Sequence, residues 1–138
     1  MKPGFELTEH TADVGIRAWA PDLGELFAQA AKGLFAVMVD PATVSGRLIR
    51  PVQVEAESVE SLLHDWLDEL NAMQQTHGEL YNRFTVSVED TVLVAHIEGE
   101  PLDPSRHELH VEVKAVTWHD LRIRCGQTGY EAFVLLDI

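Results

Sequence analysis

Two negatively charged groups stand side by side in the segment FVLLDI: the side chain of Asp137 and the terminal carboxylate of Ile138. Close negative charges repel unless a cation, hydrogen bonds or solvent compensates them. Carboxylate oxygens are ligands that Ca²⁺ and Mg²⁺ prefer, with water filling the vacant positions. A third carboxylate, from Asp13, would complete an anionic cluster. The alternative is a frayed chain end in which solvent screens both charges.

The stretch HTADVG places His10, Thr11 and Asp13 just before the first predicted strand. Side chains on such a tight connection reach outward from a fixed backbone, so the turn can hold a site. The alternative is that Thr11 and Asp13 only bond to turn amides, as these residue types often do.

A second group of candidates lies in one strand-like stretch, where Lys114, Thr117 and His119 follow one another. Strand alternation places Lys114 on the opposite face from Thr117 and His119 unless a bulge intervenes. A solvated lysine and a hydrogen-bonded histidine are the structural alternatives to a functional role here.

Two other sequence patterns give weaker evidence for a functional site. His107 and His110 have a spacing that suits a helix, and in a strand their rings point to opposite faces, which makes a poor metal chelate. Cys125 shares the phase of Leu121 and Ile123, so we expect a core residue and not a nucleophile.

Composition limits the function classes. The chain of 138 residues has 10 Lys and Arg against 23 Asp and Glu, a formal net charge of −13. Phosphate-backbone binding draws its affinity from basic residues, so strong direct nucleic-acid binding is not expected. A basic partner or a cation fits this charge better.

The same composition predicts one domain in the cytoplasm. The length suits a single folding unit with a sizeable core, and a single cysteine excludes an internal disulfide. The opening MKPGFELTEH lacks the apolar core of a signal peptide. Apolar runs are too short to span a bilayer, so no membrane association is expected.

Two amphipathic helices are predicted to position these residues. The first covers residues 23–38, with Asp22 as its cap and Glu25 in the capping-box position. The second begins after Ser58 and ends near Gly78, a typical C-terminal cap. The acids Glu60, Asp65, Asp68 and Glu69 are expected on the solvated face of the second helix.

The rest of the chain shows the period of two that is typical of strands. Strands are predicted around residues 14–18, 52–56, 84–88, 92–94, 109–115 and 121–125 and in the final FVLLDI, with a turn at Glu89 and Asp90. In the fifth of these, Leu109, Val111, Val113 and Ala115 are expected to point inward. Short connections favour antiparallel pairing, so the predicted fold class is α+β, with two helices packed on one face of an antiparallel sheet.

Four blocks in order make the chain resemble the archease family over essentially its whole length. They are HTADVGIRAWAPDLGELFAQAAKGLF, LLHDWLDEL, HELHVEVKAVTWH and the final LLDI. Trp118 stands where the family often has Tyr, a departure that touches no functional residue.

The resemblance implies a small α+β protein that activates the RtcB-type RNA ligase of tRNA splicing and RNA repair. In that family the partner promotes guanylylation of the ligase's active-site histidine by GTP and supports repeated turnover, with a divalent metal involved. The family's metal-binding acids fall on Asp13 and Asp137, and Ile138 contributes a backbone or carboxylate oxygen. His10, Lys114 and His119 are candidate functional neighbours. Oxygen ligation favours Ca²⁺, Mg²⁺ or Mn²⁺ over Zn²⁺.

Two other functions remain open at this stage. The chain could be a small metal-dependent hydrolase of phosphate esters, with His10 or His119 as its base. It could also be a chaperone-like interaction module in which the ion is only structural.

Overall fold

The computed structural model describes residues 1–9 and 12–138. This part of the chain confirms the α+β class, with two α-helices, a short 3₁₀ turn at Pro41–Thr43 and eight strands. In chain order the elements are β1 (Gly4–Glu9), β2 (Asp13–Ala20), α1 (Leu23–Met38), β3 (Leu48–Glu55), α2 (Val59–His77), β4 (Glu79–Glu89), β5 (Val92–Pro101), β6 (Ala115–Val116), β7 (Arg122–Cys125) and β8 (Tyr130–Asp137).

The strands form two antiparallel sheets. The large sheet has the order β1-β2-β8-β6, and β7 also pairs with β8. The small sheet has the order β3-β5-β4. The strand β1 was not predicted, and it places β2 in the interior of the large sheet. As a result β8 runs between β2 on one side and the short strands β6 and β7 on the other.

Both helices begin and end where the sequence predicts. The Asp22 carboxylate accepts the Glu25 N–H at 2.8 Å, and the Ser58 hydroxyl accepts the Ser61 N–H at 3.1 Å. These bonds satisfy amides that have no partner inside the helix. Gly78 ends α2 with a φ of 63°, a left-handed conformation that glycine adopts without a steric penalty.

The first helix is buried over more of its surface than a single apolar stripe. Its Phe35 ring meets Tyr81 and Phe84 of the small sheet, with centroid distances of 5.5 and 5.8 Å. On another side, Gly33 lies against Ile16 of the large sheet. Because α1 contacts both sheets, its small residues are buried together with its large ones.

The second helix packs on this core through one face, as predicted. Its Trp66 is fully buried, and the indole N–H donates to the Phe27 carbonyl of α1 at 3.0 Å. The bond gives the buried indole the polar partner it needs. On the opposite face Glu60, Asp68 and Glu69 are exposed as expected, whereas Asp65 is half-buried.

The predicted strand over residues 109–115 is wrong for most of its length. Only Ala115–Val116 forms a strand, and of the apolar residues before it Val113 alone is buried, whereas Leu109 and Val111 are 48% and 38% exposed. The backbone of this stretch bonds to helix ends and side chains: the His110 N–H, for example, donates to the Met38 carbonyl at 2.8 Å. Regular alternation fails because no strand ladder holds the segment.

One further expectation about a strand face is wrong. Cys125 is exposed, because it pairs with Tyr130 next to the turn that closes β7 and β8, away from the helices. In β5 the buried residues include Leu93 and Ala95, whereas Val94 is 48% exposed. Apolar residues occupy both phases of β5, so the period of two does not identify its inner face.

No helix within the described ranges is long and apolar enough to cross a membrane.

We expect Gly99→Ala to destabilise the protein by about 3 kcal/mol, near the upper end for overpacking. A methyl group on Gly99 would collide with the Leu80 carbonyl of the neighbouring strand, and backbone cannot move aside cheaply. Urea denaturation measures the change. The control is Gly126→Ala, where the nearest non-neighbour atom is 3.9 Å from the added carbon. Equal stability of the two variants would contradict the packing described.

Candidate functional site

The pairing of β2 with β8 brings Asp13 directly opposite Asp137. The next pair along, Val14 and Leu136, is buried, at 5% and 0% exposed. Because side chains alternate across a sheet, the two aspartates point to the face away from the helices. The sequence alone gave no spatial distance between them, and the register of the large sheet makes them neighbours.

This juxtaposition is electrostatically unfavourable by itself. Residues directly opposed in antiparallel strands have Cα atoms about 4.5–5.5 Å apart, and like charges there destabilise the sheet. One oxygen, Asp13 Oδ1, is buried and has no hydrogen-bond partner within the described part of the chain. A buried, unpartnered carboxylate oxygen beside a second carboxylate suits a hard cation that prefers oxygen ligands.

Residues 114–116 lie beside the aspartate pair, on the side of β8 opposite to β2. Ala115 lies opposite Asp137 in the register, and the Lys114 N–H donates to the Asp137 carbonyl at 2.8 Å. This bond holds the backbone of Lys114 against the end of β8.

The remaining candidates are placed as follows. His10 and Thr11 lie outside the described residues. His119 is exposed and its ring lies 3.4 Å from the Asp120 carboxylate, on the turn before β7. Thr117 Oγ1 is buried and, among described residues, has no hydrogen-bond partner. The structure therefore joins Lys114 to the aspartate pair through the backbone and leaves His119 on a separate turn.

Ile138 sits beside the pair but points its side chain elsewhere. Its side chain is partly buried against the core, and with Val14 it lines a cleft on the helix side of the sheet. The Ile138 N–H lies 3.5 Å from the Ala12 carbonyl. This contact brings the backbone of Ile138 against the bend that precedes β2.

The metal-ligand atoms that Asp13 and Asp137 offer are oxygens. In residues 1–9 and 12–138 no group of three or more His, Cys, Asp or Glu side chains is placed to hold a metal ion. Two side-chain carboxylates are available, so an ion would need backbone or terminal oxygens and water to complete its shell. Such sets fit Ca²⁺, Mg²⁺ or Mn²⁺, which accept water and carbonyl ligands.

A buried polar cluster, missed by sequence reasoning, fixes the loop after β5. Glu100 is fully buried at the end of β5 and binds Arg106, His107 Nε2 at 3.0 Å and the Ser45 N–H at 2.6 Å. His107 Nδ1 accepts the Asp103 N–H at 2.9 Å, so the ring is neutral and Nε2 carries the proton. Both ring nitrogens are occupied, which removes His107 from the metal-ligand candidates.

This cluster shifts the acidity of Glu100. The Ser45 N–H, helped by Arg106 and His107, lowers the pKa of the Glu100 carboxyl to about 2 from an ordinary 4.5, against the opposing effect of burial. A similar effect holds at Glu79, whose pKa is lowered mainly by the Arg50 guanidinium. Both carboxylates are therefore structural anions that stay charged throughout the neutral range.

A second missed feature is an aromatic stack on α2. The His64 ring lies 3.8 Å from the Trp118 ring with an interplanar angle of 13°. Its Nε2 donates to the Val116 carbonyl at 2.9 Å and its Nδ1 lies 3.0 Å from Asp65 Oδ1. The stack fastens the segment after β6 to α2. The signal was present in the sequence, since a polar His64 follows two leucines of the buried helical face.

Comparison with known proteins agrees with this architecture. The sequence model of the Archease protein family (MTH1598/TM1083) matches residues 5–138. The chain belongs to the archease family. A protein archease of Pyrococcus abyssi is 42% identical over 123 residues, 86% of this chain and 87% of that protein. A protein archease of Sulfurisphaera tokodaii is 35% identical over 97% of this chain and 98% of that protein.

Solved structures of archeases share the fold. The solution structure of Methanobacterium thermoautotrophicum protein 1598 has a TM-score of 0.82 and 36% identity, and the match covers 98% of this chain and 99% of that chain. A crystal structure of an archease from Thermotoga maritima has a TM-score of 0.65 at 17% identity, over 95% and 94% of the two chains. The fold extends across the family even where few residues are shared.

Glu100→Gln should lower the thermal midpoint by roughly 10 °C at neutral pH, because it leaves Arg106 and the Ser45 N–H without their anion. The lowered pKa of Glu100 sets the pH range in which its carboxylate stabilises the fold. This stabilisation is complete above about pH 4.5 and is lost as the pH falls toward about 2. In thermal melts from pH 7 to pH 2, the melting temperature of the variant should fall less toward low pH than that of wild type. Glu69→Gln, on the exposed face of α2, is the control and should follow wild type; an unchanged midpoint for Glu100→Gln would contradict the cluster.

If the aspartate pair binds a divalent ion, adding Ca²⁺, Mg²⁺ or Mn²⁺ should raise the thermal midpoint. At a free concentration of 100 times Kd the gain is about 2.7 kcal/mol. Asp13→Asn and Asp137→Asn should remove the metal-dependent gain and, because a repulsion is relieved, melt at or above wild type without metal. Differential scanning calorimetry measures both effects. A metal response that survives in both variants would place the ion elsewhere.

Proposed function

We propose that this protein is a non-enzymatic activator of an RtcB-type RNA ligase, acting in tRNA splicing and RNA repair. In this role it promotes guanylylation of the ligase's active-site histidine by GTP and supports multiple turnover. The observation that carries the proposal is family membership over residues 5–138 together with the opposed Asp13 and Asp137. The role assigns the protein to the cytoplasm, as its sequence led us to expect.

In the proposed site, Asp13 and Asp137 hold a divalent ion with an oxygen from Ile138. A bound ion would supply positive charge that compensates the two carboxylates. The protein's own residues do the rest: the Lys114 N–H donates to the Asp137 carbonyl, and β6 pairs with the end of β8. Together they form a preorganised edge for a partner.

His10, Lys114 and His119 are proposed as functional neighbours of this edge. Lys114 has the strongest support, because its backbone contacts Asp137. Lys114→Met tests its side chain, since loss of activation at saturating metal would assign the lysine a role of its own.

The deciding measurement is multiple-turnover ligation by the cognate ligase, with and without this protein. We expect wild type to increase turnover, and we expect Asp13→Ala and Asp137→Ala to lose at least about tenfold of that stimulation, as is typical when a metal site is disrupted. Asp68→Ala is the matched control, because Asp68 is an exposed acid on α2. Each variant is checked for folding by circular dichroism.

Three outcomes would contradict parts of the proposal. Turnover that is unchanged by wild-type protein removes the activator function. Metal-dependent cleavage of nucleotides or RNA by the purified protein alone indicates the hydrolase instead. Activation that survives metal removal while thermal stability falls indicates an interaction module with a structural ion.

A further inference from the structure

The stretch Glu108–Val113, here called the anchored segment, displays apolar side chains on the surface. Leu109 is 48% exposed and Val111 is 38% exposed. They account for two of the six large apolar side chains that are exposed in the described residues, and they lie two positions apart. Neighbouring exposed apolar residues on a folded protein often mark an interaction site.

The anchored segment is held in place at its start, middle and end. At its start, His107 binds the buried Glu100. In its middle, the His110 N–H donates to the Met38 carbonyl at 2.8 Å. At its end, the Val113 carbonyl accepts hydrogen bonds from Asn71 at 3.0 Å and Gln75 at 3.3 Å. The exposed side chains therefore project from a fixed backbone, which lowers the entropy cost of binding.

Two clefts flank the segment, with volumes of about 220 and 230 Å³. Both are lined by His110 and Val111. The first adds Glu9, and the second adds Leu109 and Glu112. Each cleft therefore combines an apolar wall with one carboxylate, a pattern that accepts an apolar side chain next to a cationic one.

We propose that the anchored segment and its two clefts are a docking surface for a basic, apolar stretch of a partner protein. The partner is inferred from charge. Glu9 and Glu112 sit in the clefts, Glu108 begins the segment, and the whole chain carries a formal charge of −13. A second copy of this chain carries the same negative charge and a nucleic acid carries phosphates, so electrostatic complementarity favours a basic protein surface over both.

This surface lies at the same end of β8 as the aspartate pair, on the helix side of the sheet. Ile138, next to Asp137, lines the first cleft, and the N–H of Lys114, which follows the segment, donates to the Asp137 carbonyl. A partner seated on the segment would therefore lie next to the chain end that carries Asp137. The identity of the partner as the ligase rests on the proposed function, whereas the chemistry of the surface does not.

The test measures binding of this protein to the purified cognate ligase by isothermal titration calorimetry, together with ligation turnover. The double variant Leu109→Ser, Val111→Ser should raise Kd at least about tenfold. The control is Ile49→Ser, Val94→Ser on the small sheet, with exposures of 65% and 48%. A second variant, Glu9→Gln, Glu112→Gln, should slow association and reduce its salt dependence. Circular dichroism confirms that every variant folds.

The outcomes separate this inference from the proposed function. Weakened binding in the Leu109, Val111 variant but not in the control supports the docking surface, and it does so even if wild type leaves turnover unchanged. Normal turnover stimulation with binding unaffected by these substitutions overturns the docking surface while the activator function stands. Absence of any measurable binding of wild type to the ligase overturns the docking surface as stated.

Discussion

The antiparallel ladder between β2 and β8 is the constraint on which the rest of the molecule depends. It sets Val14 against Leu136 toward the helices and Asp13 against Asp137 on the other face. A shift of β8 by one residue would turn Asp137 toward the helices and turn the buried side chains of Ala132, Val134 and Leu136 to the other face. The apolar pairs therefore fix the register, and the register forces the acids together. Hydrophobic burial supplies the free energy that holds an otherwise repulsive pair.

Buried hydrogen bonds hold the backbone of the loop after β5 and of the anchored segment, where there is no helix or strand to do so. Glu100 and its partners fasten the loop after β5, and Asn71 and Gln75 take up the Val113 carbonyl. A backbone held in this way need not alternate, so apolar residues can face solvent without loosening the fold. Core packing thus positions the opposed aspartates, and buried polar bonds hold the backbone from which the apolar side chains of the anchored segment are exposed.

The sequence predicts the elements better than their faces. Both helices could be predicted to the residue, because apolar periodicity agrees with the caps at Asp22, Ser58 and Gly78. The face of β5 could not, since Leu93 and Val94 are equally apolar and only packing decides between them. Neither could the exposure of Leu109, because it follows from contacts with residues distant in the chain. Asp13 and Asp137 could be proposed as a pair from family resemblance, but their adjacency needed the sheet register.

The central place of β8 has a kinetic consequence. Its partners include residues from opposite ends of the sequence, so closing the large sheet requires the most distant contacts in the chain. Contacts of such long range form slowly, because the entropy of a large loop is lost before the pairing repays it. A chain that has collapsed around its helices but not inserted this strand lacks the paired acids altogether. The opposed acids exist only once β8 has joined the sheet, so any property that needs both of them depends on that slow pairing.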